Sequence, residues 1–316
     1  MAINAEIFED NQRLLWGLCY RMTGNAADAD EIVQETFVRA LQQQSLDTDE
    51  LLKPWLVRVA INLSRDLLRR RKRRGYVGEW LPSPIVTDEL ESLPSYELPA
   101  PDEDSPLVRY EMLESVSFAF LLALEALKPA QRAVLLLRDV FDYSTAETAT
   151  ALNISEASVK VILHRARKQM RDYDQERRRQ PARLSDLTRQ ALERFLFFLN
   201  TRNHAGLEAL LTEDVISLND GGGEVAAALK PIYGRKNNIR FVTKIAEKNY
   251  SEARISFATL NGLPAVMVDV EPLNPRLARR FTIQCEVDKQ GRIKRFFHVL
   301  APRKLTSLES PEEPRK

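Results

Sequence analysis

The chain has 316 residues, 44% of them hydrophobic, enough for two or three domains each with its own core. No apolar stretch approaches the length of a bilayer-spanning helix, and the N-terminal MAINAEIFEDNQRLLW has acids before its first apolar run and no small-residue cleavage site, so a soluble, cytoplasmic chain is expected. The formal net charge of +1 would by itself argue against a nucleic-acid partner, but it averages segments of strongly opposed charge. Cys19 and Cys285 lie far apart in apolar-periodic surroundings without metal-ligand spacing, which reads as two buried thiols in a reducing compartment.

Residues 1–75 read as a helical domain. A first helix from Phe8 to Met22 places Phe8, Leu15, Leu18, Cys19 and Met22 on one face and stops at Gly24-Asn25. A second, Asp28 to Leu41, buries Ile32, Val33, Phe37, Ala40 and Leu41. Its acids favour the positive end of the helix dipole, and Asp28, Asp30, Glu31, Gln34 and Glu35 also make a polar surface suited to a basic partner. A third helix has Pro54 at a first helical position and a core face of Leu56, Val59, Ala60, Leu63 and Leu67. Opposite lie Arg58, Asn62, Arg65 and Arg69, a basic ridge that runs into Arg70-Arg71-Lys72-Arg73-Arg74. Taken alone, that ridge is equally a solvated face or a nucleic-acid contact.

Residues 76–112 form an acidic, Pro-rich linker, in which Asp88 to Glu114 is dense in Asp and Glu against a single Arg109. Residues 113–175 are helical again and contain YSTAETATALNISEASVKVILHRAR, two short helices joined by the turn Leu152-Asn153-Ile154. Ser144 can cap the first with Glu147 reaching back, and Ser155 can cap the second. Val159, Ile162, Leu163, Ala166 and Met170 make one buried stripe, which leaves Ser158, Lys160, Val161, His164, Arg165 and Lys168 facing outward. That is a helix-turn-helix whose second helix can enter a major groove. Its plainer alternative is a two-helix corner with a solvated basic face.

From Ser185 the composition changes. One amphipathic helix (Leu187, Ala191, Leu192, Phe195, Phe198, Leu199) and a shorter one (Leu207, Leu210, Leu211) precede strand-like runs at Asp214–Asn219, Ala253–Leu260, Ala265–Val270, Arg280–Val287 and Arg292–Leu300. Residues 185–303 are thus an α+β domain, and 304–316 a charged, Pro-containing, disordered tail.

Two basic helical modules on either side of an acidic linker suggest a protein that touches nucleic acid at two separated places. The segments DADEIVQETFVRAL, KPWLVRVAINLSRDLLRRRKRR and QRAVLLLRDVFDYSTAETATALNISEASVKVILHRARKQM resemble regions two and four of a bacterial extracytoplasmic-function RNA polymerase sigma factor. This resemblance implies a subunit that directs core RNA polymerase to a promoter, helps to melt it and catalyses nothing itself. It assigns Asp28, Asp30, Glu31, Gln34, Glu35 and Phe37 to core polymerase contact, and Arg58, Asn62, Arg65 and Arg69 to the −10 element. It assigns Ser158, Lys160, His164, Arg165 and Lys168 to the −35 element.

Trp80-Leu81-Pro82-Ser83-Pro84 is similar to a WLPEP motif, Asp220-Gly221-Gly222-Gly223-Glu224 to a DGGG motif ending in a base, and Asn274-Pro275-Arg276-Leu277 to an NPDKL motif. Together they resemble the sigma subgroup with a fused SnoaL-like domain of the cone-shaped nuclear-transport-factor-two type. The fold class implied is multidomain: two all-α regions followed by an α+β cone. In that subgroup the fused domain replaces a separate anti-sigma factor, so Trp80, Leu81, Pro82, Asp220, Gly221, Gly222, Gly223, Asn274 and Pro275 become candidates for interdomain regulation. Trp80 either anchors such docking or packs locally on the end of the Arg-rich helix. Glu224 and Ser83 depart from the motifs, so any base–acid pair between linker and domain at those positions is lost or reversed here.

The cone fold hosts enzymes as well as non-catalytic domains, so the fold cannot decide between them. Its acid–base groups, His204, Asp220, Glu224, Asp269, Glu286 and His298, give no nucleophile–base pair and no metal spacing, and the three glycines lack the pattern of a phosphate loop. No catalysis, metal or cofactor is expected. The expected partners are core RNA polymerase and promoter DNA, without membrane, without a separate anti-sigma factor, and with a monomeric free chain. The alternative reading is a helix-turn-helix regulator fused to a ligand-sensing or enzymatic cone domain.

Overall fold

A computed structural model of the protein describes residues 5–42, 49–87, 116–177 and 183–308. The acidic run from Asp88 to Glu114 and the last eight residues of the expected tail lie outside them. The chain forms two compact units, one of residues 1–75 with 90–178 and the other of residues 76–89 with 179–316. Among the described residues no helix is long and apolar enough to cross a membrane, and no cluster of three His, Cys, Asp or Glu side chains could hold a metal ion.

The described residues of the first unit are all-α. Helices α1 (Ala5–Thr23), α2 (Ala26–Gln42) and α3 (Asp49–Arg74) pack on one another, and α4 (Phe118–Glu125), α5 (Pro129–Asp139), α6 (Thr145–Leu152), α7 (Glu156–Gln169) and α8 (Arg171–Arg177) follow. α1 contacts α2, α3 and α5, so Leu14, Trp16 and Tyr20 are buried along with the expected Leu15, Leu18, Cys19 and Met22.

Two expectations for this bundle need correction. Leu41 is 65% exposed, because the buried stripe of α2 ends at Ala40 and Leu41 lies beyond it in the last turn. Pro54 sits inside α3 rather than at its start, since the turn from Asp49 is already helical and a proline there forfeits only one i→i−4 bond. The core face of α3 is correspondingly rotated. Leu52, Leu56, Val57, Ala60, Ile61 and Leu68 are buried, whereas Val59, Leu63 and Leu67 are half-buried.

The second unit is α+β. Helices α9 (Arg183–Asn200) and α10 (His204–Leu210) lead into β1 (Leu211–Asp220), then β2 (Ile232–Tyr233), α11 (Arg235–Asn249), β3 (Tyr250–Leu260), β4 (Leu263–Pro272), β5 (Arg280–Val287) and β6 (Ile293–Val299). The six strands lie in the order β2-β1-β6-β5-β4-β3, with β1 parallel to β6 and the other neighbours antiparallel. Register and alternation sort the side chains. On one face Val266, Val268, Ile283, Cys285 and Phe296 pack against Leu192 and Phe195 of α9 and Ile239 and Val242 of α11, with the Phe195 and Phe296 rings 4.8 Å apart. On the other lies a smaller cluster of Ala258, Leu260 and Ala265 with Met267 and Leu308.

The sequence pattern misses α11 and β2. Asn237-Asn238 lowers helix propensity at the start of α11 and conceals its apolar face. Asn238 is buried because its amide nitrogen reaches the Val215, Ile232 and Gly234 carbonyls, at 3.2, 3.0 and 2.9 Å, and its oxygen meets the Ser217 hydroxyl. That one side chain fastens α11 to β1 and β2.

Candidate nucleic-acid interface and strap

The helix-turn-helix is built as its caps require. Ser144 Oγ accepts from the Glu147 amide at 3.1 Å while the Ser144 amide donates to the Glu147 carboxylate at 2.7 Å, closing a capping box. These bonds hold the Glu147 carboxyl below its ordinary range. Asn153 ends α6 in the left-handed region at φ 52°, and Ser155 Oγ caps α7 at the Ser158 amide, 3.2 Å away. Val159, Ala166 and Met170 are buried, and Ile162 and Leu163 pack against the small core of Val134, Ala149 and Val159.

On the opposite face of α7, Lys160, Val161, His164, Arg165 and Lys168 are exposed. Ser158 is half-buried and its hydroxyl is 2.8 Å from that of Ser155, so it belongs to the cap as much as to the outward face. Arg167 makes a bidentate pair with Asp139 at 3.0 and 2.6 Å, locking α7 to the end of α5.

The α3 ridge is less uniform. Asn62 and Arg69 are exposed, Arg58 and Arg65 are half-buried, and Arg69 pairs with Asp66 at 3.0 Å. Within the basic run that follows, Arg71 turns inward and donates to the Thr23 carbonyl at 3.0 Å and to Glu125 at 2.9 Å. The buried Arg132 completes the cluster, reaching Glu125 at 2.8 Å and the Met22 carbonyl at 2.5 Å. α3 also packs against α6, the first helix of the helix-turn-helix.

On α2, Glu31, Gln34 and Glu35 are exposed. Phe37 is in the core with its ring centroid 4.4 Å from that of Phe8, Asp28 is buried, and Asp30 accepts from the Trp16 indole at 2.7 Å. Burial raises the Asp30 carboxyl above its usual range. Val38 and Leu41 are exposed and continue the row of Glu31, Gln34 and Glu35 at helical spacing. Sequence reasoning missed this apolar pair, since only the observed burial separates Val38 from Phe37.

The second unit holds residues 76–87 as a strap across the sheet face that carries Asp220 and Val299, which are register partners. Asp220 is completely buried and its carboxylate is saturated. One oxygen accepts from the Tyr76 hydroxyl at 2.6 Å and the Gly222 amide at 3.0 Å. The other accepts from the Leu81 amide and from Lys304 Nζ, both at 2.7 Å. Lys304, 2% exposed, also donates to the Leu81 carbonyl and lies over the Tyr76 and Trp80 rings at 4.9 and 4.3 Å. Trp80 thus packs against Lys304 within the second unit.

Farther along, Ile85 and Asn261 exchange two hydrogen bonds at 3.1 and 2.9 Å. The Thr87 amide donates to the Thr259 carbonyl at 2.8 Å, and Ser307 donates to the Pro84 carbonyl at 2.7 Å. A Cβ at Gly221 would come within 2.7 Å of the Val225 carbonyl, and Gly223, at φ 77°, lets the loop pass beside Val77. The Ala226 amide donates to the Arg276 carbonyl at 2.7 Å, so the DGGG loop also touches the turn begun by the exposed Asn274-Pro275. Ser83 is buried and Glu224 is exposed; the ion pair of this site joins Asp220 and Lys304 instead. Lys304 lies in the segment expected from sequence to be a tail, and no motif marks it.

The acid–base groups of the cone do not converge. His204 is exposed, Asp269 pairs with Arg280 at 2.6 Å, and Glu286 lies near Lys294 and Arg295. His298 is buried beside Phe296, with its pKa pushed down to about 4 by burial.

Family comparisons agree with this arrangement. Residues 7–74 match the model of sigma-70 region 2, and residues 117–170 match that of sigma-70 region 4. The chain is 31% identical to the ECF RNA polymerase sigma factor SigJ of Mycobacterium tuberculosis (strain ATCC 25618 / H37Rv) over 247 residues, covering 76% of this chain and 72% of SigJ. It is 40% identical over 170 residues to the ECF RNA polymerase sigma factor SigG of the same strain, covering 51% of this chain and 46% of SigG. The crystal structure of the Mycobacterium tuberculosis extracytoplasmic function sigma factor SigJ superimposes with a TM-score of 0.64 at 25% identity, covering 98% of this chain and 100% of that one. With helical regions two and four and the α+β domain in one polypeptide, the chain belongs to the extracytoplasmic-function RNA polymerase sigma factors, in the subgroup with a fused SnoaL-like C-terminal domain.

Proposed function

We propose that this sigma factor, which initiates transcription as its family does, is controlled in cis by its C-terminal domain through the strap. The observation that carries this reading is the buried Asp220–Lys304 pair, which holds the backbone of Leu81 immediately downstream of α3. Since α3 ends at Arg74 and the strap begins at Tyr76, the C-terminal unit grips the chain at the exit of the helix assigned to the −10 element. A tethered domain acts at high effective concentration, so no separate anti-sigma factor is needed.

On this reading Asn62 and Arg69, with the half-buried Arg58 and Arg65, face the −10 element, and Lys160, His164, Arg165 and Lys168 face the −35 duplex, with Ser158 at the edge of that surface. Core polymerase docks on Glu31, Gln34, Glu35, Val38 and Leu41, while Asp28, Asp30 and Phe37 hold the helix in place. The scattered acid–base groups favour a regulatory domain without catalysis, in a cytoplasmic protein that is monomeric when free.

Reconstitution with core polymerase tests the proposal, comparing the full chain with one ending before α9 on a pool of promoter sequences. Altered promoter activity in the shortened chain is the expected result. Specific duplex binding by the free chain, with no polymerase association, would favour a self-sufficient helix-turn-helix regulator instead.

A further inference from the structure

Phe195, Phe296, Ile283 and Cys285 belong to the packed core of the second unit. Open space lies along α11. An open trough of about 700 Å³ is lined by Pro231, Ile232, Tyr233 and Phe241 together with Arg240 and Lys244. A second hollow of about 360 Å³ is bordered by the same two cations together with His204, Glu208 and Lys236. Arg240 and Lys244 are one helical turn apart, both are exposed, and neither forms a salt bridge among the described residues. The trough therefore pairs two positive charges, without a salt bridge among the described residues, with aromatic and aliphatic side chains, at a volume usual for small-molecule sites.

We propose that this trough is a binding site for a small organic anion, a carboxylate or phosphate monoester carrying an apolar body. The guanidinium of Arg240 and the ammonium of Lys244 take the anionic head in charge-assisted hydrogen bonds. Tyr233, Phe241, Ile232 and Pro231 cover the body. Glu208 borders only the smaller hollow, so among the described residues no carboxylate lines the larger one. The site shares no residue with the strap.

Isothermal titration of the full chain with octyl phosphate, octanoate and 1-octanol tests this assignment. Saturable one-to-one binding of either anion is expected, with 1-octanol at least about tenfold weaker, and the preferred anion identifies the head group. Arg240→Gln and Lys244→Gln should each weaken the anion about tenfold, and Tyr233→Ala should weaken octyl phosphate while leaving far-UV circular dichroism unchanged. The assignment is overturned if neither anion binds saturably, if 1-octanol binds as well as the anions, or if the Arg240→Gln/Lys244→Gln double variant binds like the parent.

Discussion

Asp220 and Lys304 are both almost completely removed from water, and each satisfies groups that the other cannot reach. A buried ion pair of this kind tolerates joint replacement better than the loss of one member, which strands a charge. Lys304→Met alone is therefore expected to destabilise the C-terminal unit by about 3–5 kcal/mol. The double variant Lys304→Met with Asp220→Leu should recover part of that loss, read by denaturant unfolding. His298 offers a second measurement. Its pKa is depressed to about 4 in the fold against an ordinary value of 6.5, so between those values the unfolded chain binds more protons than the native one. Its contribution to stability is complete above pH 6.5 and declines as the pH falls toward 4. The unfolding midpoint of the C-terminal unit should fall over that interval, and His298→Gln should flatten the fall.

Among the elements, α7 and α2 carry the sharpest expectations. Replacing Arg165 or Lys168 by Ala should weaken promoter binding by the holoenzyme by about 1–3 kcal/mol where a base edge is read, and a contact to phosphate alone should instead reduce the salt dependence by about one unit of slope. On α2, Leu41→Asp should lower affinity for core polymerase without lowering the melting temperature, since Leu41 contributes little to the core. Phe37→Ala should instead lower the melting temperature of the bundle, because its ring is buried in the core.

The difference between those neighbouring residues explains what the sequence could reveal. The stripe of α7, the caps at Ser144 and Ser155, and the strand Arg280–Val287 were legible because each follows from local periodicity or local side-chain chemistry. The face of α3 and the fate of Leu41 depend on how neighbouring helices pack, and α11 on a buried Asn that looks unfavourable until β1 surrounds it. Lys304 was illegible for a stronger reason. Its partner in the ion pair is 84 residues away in sequence, and no local pattern encodes that contact.

In the whole molecule, regions two and four share one compact unit, joined at the Arg71–Glu125–Arg132 cluster and along α3 and α6. Glu125→Ala leaves the buried Arg132 without its carboxylate and should loosen this unit, measured as faster hydrogen exchange at the α1–α5 and α3–α6 contacts. Burial already lowers the Arg132 pKa, and the loss of Glu125 would remove the main influence opposing that shift. The C-terminal domain, for its part, is discontinuous. Its first piece is the strap and its second begins at α9, with the whole of region four inserted between them. Severing the backbone between α8 and α9 would therefore not set the domain free. The two fragments should elute together under native conditions, held by residues 76–87, and come apart when Asp220 is replaced.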